Sequence, residues 1–180
     1  MSDSETKTDA GFWQRAGAFG LDYVIILLYL AVIALLFLLI NSFFDLNEWA
    51  FSGRVRAQTS AFLIVTLPVT LYFAFSEASR RQASWGKQRM GLIVTDNDGN
   101  RIGIGRSLGR TLLKFIPWEL SHTLIWEIYF QTNVNAILIN MGFILVYVLI
   151  GLNIASLVLS RTHQTLYDFL AGTRVEKLSA

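Results

Sequence analysis

A single charge, Asp22, interrupts residues 16–40, an apolar run long enough to cross a bilayer. No other feature constrains the fold of this chain as strongly. A membrane helix needs about 20 predominantly apolar residues. A carboxylate near the hydrocarbon centre costs roughly 2.5–3.5 kcal/mol on insertion scales, so Asp22 is expected to face protein or water. Arg15 precedes it on the same helical face, about 10 Å along the axis. Asp22 therefore calls for a partner.

The rest of the chain agrees with a membrane protein. Of its 180 residues, 53% are hydrophobic and 16% charged, and the mean hydropathy is +0.47, whereas soluble domains carry about 25% charged residues. There is no cysteine, which removes disulfide frameworks, zinc-thiolate sites and thiol nucleophiles. The first apolar run exceeds the roughly 7–15 residues of a signal-peptide core and is not followed by a small-residue cleavage site, so it is expected to stay as an anchor.

Residues 1–11 are polar and read as a disordered tail, leaving residues 12–177 as one transmembrane domain. Helical spans are expected over residues 12–40, over 57–75 with a kink at Pro68, and over 135–159. Residues 41–56 form an aromatic interfacial loop. Residues 76–114 hold Arg80, Arg81, Lys87, Arg89, Arg101, Arg106, Arg110 and Lys114 against three acids. The positive-inside rule assigns this loop to the cytoplasm. Within it, residues 91–95 and 101–104 flank an Asp-Gly turn and predict a small β-hairpin. Arg106, Arg110 and Lys114 then recur every fourth residue, which predicts an interfacial amphipathic helix.

The number of spans turns on residues 117–134, half apolar but holding Glu119, His122 and Glu127. If the segment does not cross there are three spans, and the basic tail is stranded opposite the basic loop. If it crosses there are four, and the arginine-rich segments share the cytoplasmic side. The charge distribution favours four. The fold class is then an all-α bundle of four, alternatively three, transmembrane helices with a cytoplasmic hairpin and an interfacial helix.

Glu119 and His122, at i and i+3, share a helix face and predict a hydrogen-bonded or proton-relaying pair. Too few further ligands accompany them for a metal site, and neither a metal nor a cofactor is expected. No zinc-protease, serine-hydrolase, P-loop or dinucleotide motif is present, so the chain reads as a non-enzyme. The basic loop is better explained by orientation and by anionic headgroups, at about 1 kcal/mol per basic residue, than by nucleic acid. Asp22 has two readings. It is either capped by a neighbouring Ser or Thr hydroxyl, or joined to a cation from another segment in a network that an ion or proton can open.

Three ordered motifs resemble a known family. Arg15-Ala16-Gly17-Ala18-Phe19-Gly20-Leu21-Asp22-Tyr23 is similar to the opening signature of the RDD family, named for one arginine and two aspartates. Residues 84–92, SWGKQRMGL, resemble its T-x-G-K-x-x-x-G-L loop, with Ser84 in place of threonine. Residues 161–173, RTHQTLYDFLAGT, resemble its R-Q-T-x-x-D-x-x-A-G-T close, with Asp168 as the second aspartate and two extra residues between Arg161 and Gln164.

The resemblance implies a multi-pass protein of the bacterial inner membrane, with the N-terminus and basic loop cytoplasmic. It also implies transport of unassigned ligands, with sodium/proton antiport in some members. Gly86 and Gly91 would hold the loop against the bundle, and Gly172 lies in the closing motif. The leading expectation is a cation or proton carrier, acting as an oligomer or with a membrane partner. In it Asp22 is the exchangeable carboxylate, Arg15 competes for it, and Asp168 ties the tail to the arginine loop. The rival is a non-transporting scaffold or accessory subunit that docks lipid or a partner through the basic loop.

Overall fold

Uninterrupted Leu, Ile, Val and Ala favour a helix wherever no proline or glycine pair intervenes, and the first such run forms α1, Phe12–Asn41, in the computed structural model. The structure describes residues 7–178. The Gln14 side chain closes the start of α1 by accepting from the Gly11 amide at 3.1 Å. Only Ala18 and Asp22 on α1 are buried. Many of its apolar residues beyond them, Leu28 and Leu35 among them, are exposed.

After a short helix, α2 (Leu46–Ala50), one rod is assembled from α3 (Arg54–Ala61), a π-turn at Phe62–Thr66, and α4 (Leu67–Ala78). Pro68 has no amide hydrogen to give to the carbonyl four residues back. That carbonyl belongs to Ile64, and the Tyr29 hydroxyl on α1 donates to it instead. The kink expected at Pro68 takes the form of this π-turn, a common way for a helix to absorb a break in its hydrogen-bond ladder.

The basic segment opens with α5 (Trp85–Arg89) and β2 (Leu92–Asp96). It continues into α6, Ile104–Tyr129, a single helix of 26 residues that passes through Pro117. This corrects the expectation of a separate interfacial helix, which is the first half of α6. Helix α6 runs antiparallel to the α3–α4 rod along its whole length. Ser107 donates to the Ala74 carbonyl at 2.8 Å, Phe115 packs on Phe73, Gln58 donates to Thr123 at 2.8 Å, and Arg54 pairs with Glu127 at 2.7 Å. Helix α7, Ala136–Leu159, packs on α6, and α8 (Leu166–Ala171) leads to β3 (Thr173–Leu178). Three helical stretches, Phe12–Asn41, Arg54–Ala78 and Ala136–Leu159, are long and apolar enough to cross a membrane.

The expected hairpin is replaced by a three-stranded antiparallel sheet in the order β1-β3-β2, with β1 at Lys7–Asp9. Strand β3 is central, with Val94 opposite Val175 and Thr8 opposite Lys177. The Asp96 carboxylate accepts from the amides of Asp98 and Asn100 and closes the Asp-Gly turn. Helix α6 starts so soon afterwards that only Arg101 remains to bridge to Thr95. The disordered-tail expectation for residues 1–11 is likewise corrected from residue 7 onward. Ala10 is buried and donates its amide to Val175 at 2.9 Å; residues 1–6 lie outside the described residues. Ala10, Ala18, Leu92, Val94, Ile102 and Val175 form the core between sheet and α1.

Candidate functional site

A chain of buried charges gathers at the end of the bundle that carries the sheet. Arg110, on the second turn of α6, is 1% exposed and engages two carboxylates. Its Nη1 donates to Glu77 Oε2 at 2.5 Å; its Nε and Nη2 meet Asp168 Oδ1 at 2.8 and 2.7 Å. Glu77, at the end of α4, also accepts from Lys87 Nζ of α5 at 2.6 Å. Asp168 Oδ2 receives Arg15 of α1, and Arg15 reaches on to the His163 carbonyl at 2.9 Å. Charge-assisted bonds of this kind are roughly twice as strong as neutral ones and fix geometry. Here they clamp α1, α4, α5, α6 and α8 together.

Local structure aims each member. Thr165 and Asp168 form a reciprocal cap at the start of α8, each side chain meeting the other's amide at 3.3 Å, which orients the carboxylate. Gly172 ends α8 in the left-handed conformation, φ 62°, as Gly91 does after α5 at φ 65°, so the chain can turn into each following strand. Burial opposes ionisation of Asp168, but the Arg110 and Arg15 guanidiniums outweigh it and hold the carboxyl below its ordinary range.

Asp22 lies apart from this clamp and is fully buried. Its Oδ1 accepts from the Tyr72 hydroxyl at 2.8 Å and the Gly86 amide at 2.7 Å, and its Oδ2 accepts from the Ser84 hydroxyl at 2.5 Å. Among the described residues no arginine or lysine lies within ion-pair distance of it. Of its two sequence readings, the geometry matches hydroxyl capping. Arg15 is engaged by Asp168, not by Asp22. The Gly86 contact is sterically obligatory, because a Cβ there would stand 2.1 Å from the Ala18 carbonyl oxygen and 2.9 Å from the Asp22 amide.

Glu119 and His122 do not meet. Glu119 turns toward the rod, where the Thr66 hydroxyl at the π-turn donates to it at 2.9 Å. His122 stays on its own helix, its Nδ1 3.1 Å from the Trp118 carbonyl and its ring edge-on to Trp118. Of the basic loop, Arg110 and Lys87 join the clamp, Arg81 donates to Gln88 at 3.2 Å, Arg89 lies over Trp85, and Arg106 faces Asp96 at 3.4 Å. Lys114 lies over the Phe73 ring, 3.5 Å from its centroid. Among the described residues, no group of three or more His, Asp or Glu is placed to hold a metal ion.

Four participants escaped the sequence reading: Thr66, Glu77, Tyr72 and Tyr29. Glu77 carried a usable signal, as a carboxylate closing an apolar run beside a basic loop. The tyrosines carried none, because a hydroxyl aimed at a distant carboxylate or carbonyl leaves no local pattern.

Fold and site define a mainly helical protein with membrane-length apolar helices, locked at one end by a buried ion-pair clamp. The RDD family profile matches residues 9–172, and the chain belongs to the RDD family. Arg15, Asp22 and Asp168, singled out by the motif resemblance, lie within the matched residues. A relative in Bacillus subtilis strain 168, the "Uncharacterized protein YxaI", is 28% identical over 109 residues, covering 56% of this chain and 72% of that protein. No solved structure matches.

Proposed function

We propose that this protein is a four-span carrier of protons or a small cation, with Glu119 as the exchangeable carboxylate. The observation that carries this reading is the contrast between Glu119 and the other acids of the bundle. Glu77 and Asp168 are ion-paired, Glu127 pairs with Arg54, and Asp22 holds three donors. Glu119, midway along α6, has the Thr66 hydroxyl and, among the described residues, no cation within ion-pair distance. A carboxylate at membrane depth without a counter-charge marks a candidate ion or proton pathway, because ionisable groups at that depth are otherwise paired. Its partner sits on a π-turn, a feature frequent at functional sites.

Two observations support four crossings. Strands β1 and β3 pair, so both ends of the domain lie on one side of the bundle, and an even number of crossings satisfies that. Helix α6 also follows the α3–α4 rod from Arg110 to Glu127, about 25 Å of rise against a hydrocarbon core of about 30 Å. The positive-inside rule then assigns the sheet and the clamp to the cytoplasm of a cell membrane. The exposed Arg80, Arg81, Arg89 and Arg106 would meet anionic headgroups there, and the uncovered apolar faces of α1 and α7 would meet lipid or a second copy.

The saturated clamp favours a second reading, a non-transporting scaffold whose charges only lock helices. Proteoliposomes separate the two. Under an imposed sodium or pH gradient, the wild type is expected to move protons, and Glu119→Gln to lose that flux by at least tenfold while keeping its fold. Asp22→Asn is expected to lower the yield of folded protein but not the flux per folded molecule. Undiminished flux in Glu119→Gln overturns the assignment, and no flux in the wild type favours the scaffold.

A further inference from the structure

A cavity of about 500 Å³ opens between α1, α6 and α7, within the roughly 300–1,000 Å³ of ordinary ligand sites. Its floor is basic, with Arg15, Lys87, Arg110 and Lys114. Its walls are apolar, with Phe19, Phe115, Val146, Ile150 and Leu157. Glu77 and Asp168 are consumed by the first three cations, and Asp22 by hydroxyl and amide donors. Four cations therefore face three carboxylates, and the cation left over is Lys114. Its ammonium rests on the Phe73 ring and donates no hydrogen bond to any described residue, although an ammonium carries three donors. A half-buried cation with no ion-pair or hydrogen-bond partner among the described residues calls for an anion.

The walls state what else the ligand must carry. Helix α1 packs mainly on α5, not on α7, so the cavity is open sideways between two helices whose outward faces are apolar. A small inorganic anion would satisfy Lys114 and leave the exposed apolar lining of Phe19, Ile150 and Ile154 uncovered. We infer that the cavity is a site for one anionic phospholipid, its phosphate on Lys114 and an acyl chain lying between α1 and α7. This site is distinct from the exposed arginines Arg80, Arg81, Arg89 and Arg106 and from Glu119, and it stands or falls independently of transport.

The test uses the full-length protein in nanodiscs of phosphatidylglycerol and phosphatidylethanolamine, with retained lipid read by native mass spectrometry after extraction. One phosphatidylglycerol is expected to be retained in preference to phosphatidylethanolamine. Lys114→Ala should lower that preference about fivefold, whereas Lys114→Arg should preserve it. Ile150→Trp, which narrows the apolar wall without touching charge, should also release the lipid, and it carries the test alone if Lys114→Ala does not fold. An unchanged preference in Lys114→Ala, or an equal drop in the surface control Arg89→Ala, overturns the site. Displacement by soluble glycerol phosphate together with an unaffected Ile150→Trp overturns the lipid assignment in favour of a plain anion site.

Discussion

The Arg15 guanidinium closes on the carboxylate of Asp168 across 153 positions of sequence, so the first and last motifs of the domain are joined by one buried ion pair. Arg110 binds the same carboxylate and passes the connection to Glu77 and Lys87. Removing any single member strands its neighbours in a region from which water is excluded, and stability should respond accordingly.

Arg110→Met is the severest case. It leaves Glu77 and Asp168 without their shared cation, and breaking a buried pair in this way destabilises by about 3–5 kcal/mol. The expected result is a protein that accumulates poorly and melts far below wild type in detergent. Adding Glu77→Gln and Asp168→Asn should not recover the loss, because Arg15 and Lys87 then lose the carboxylates that still pair with them in the single variant. Melting curves of the single and triple variants check both statements.

Acid should act through Asp168. Its folded-state pKa lies below its ordinary value, so the ionised, paired form contributes stability that is fully present above the unfolded-state value of about 3.9. That contribution fades as the pH falls from there toward the folded-state value. Melting temperature measured against pH should therefore drop below about pH 4, with the drop diminished in Asp168→Asn.

Two glycines should respond in opposite senses. Gly86→Ala forces a Cβ into the Ala18 carbonyl, backbone that cannot yield, and overpacking of this sort costs about 1–3 kcal/mol or more. Gly109, inside α6, has nothing within 4 Å of the same added atom, and alanine is worth up to about 1 kcal/mol over glycine in a helix. A melting temperature that falls for the first and holds or rises for the second is expected.

Because the chain has no cysteine, single cysteines report sidedness without background. Asp98, in the turn after β2, and Asn133, between α6 and α7, are both exposed. An impermeant thiol reagent on sealed vesicles should reach them from opposite sides. Labelling from the same side would remove α6 as a crossing helix.

Much of this architecture was legible in the chain, and its omissions have physical causes. The apolar spans show themselves because lipid demands unbroken runs, and Gly86 shows itself because its motif needs close backbone approach. Residues 117–134 read as a crossing only through the charge distribution, because Glu119, Thr123 and Glu127 dilute the apolarity of α6. Each of those residues is matched on the facing rod, by Thr66, Gln58 and Arg54, and one sequence does not display such pairing. The sheet was misread for a related reason: the Asp-Gly turn is local and visible, whereas the partner of β2 is a strand near the other end of the domain. The sequence leaves Asp22 open between a hydroxyl cap and a cation, and the structure gives it Tyr72, Ser84 and a backbone amide.

The central position of β3 has a consequence for biogenesis. Both edge strands are synthesised first and have no mutual pairing; Arg15 and Arg110 likewise wait for Asp168. A chain interrupted before residue 168 would leave Arg15 without its carboxylate and both edge strands without their shared partner. The closing segment thus completes the sheet and the clamp in one step, through β3 and Asp168.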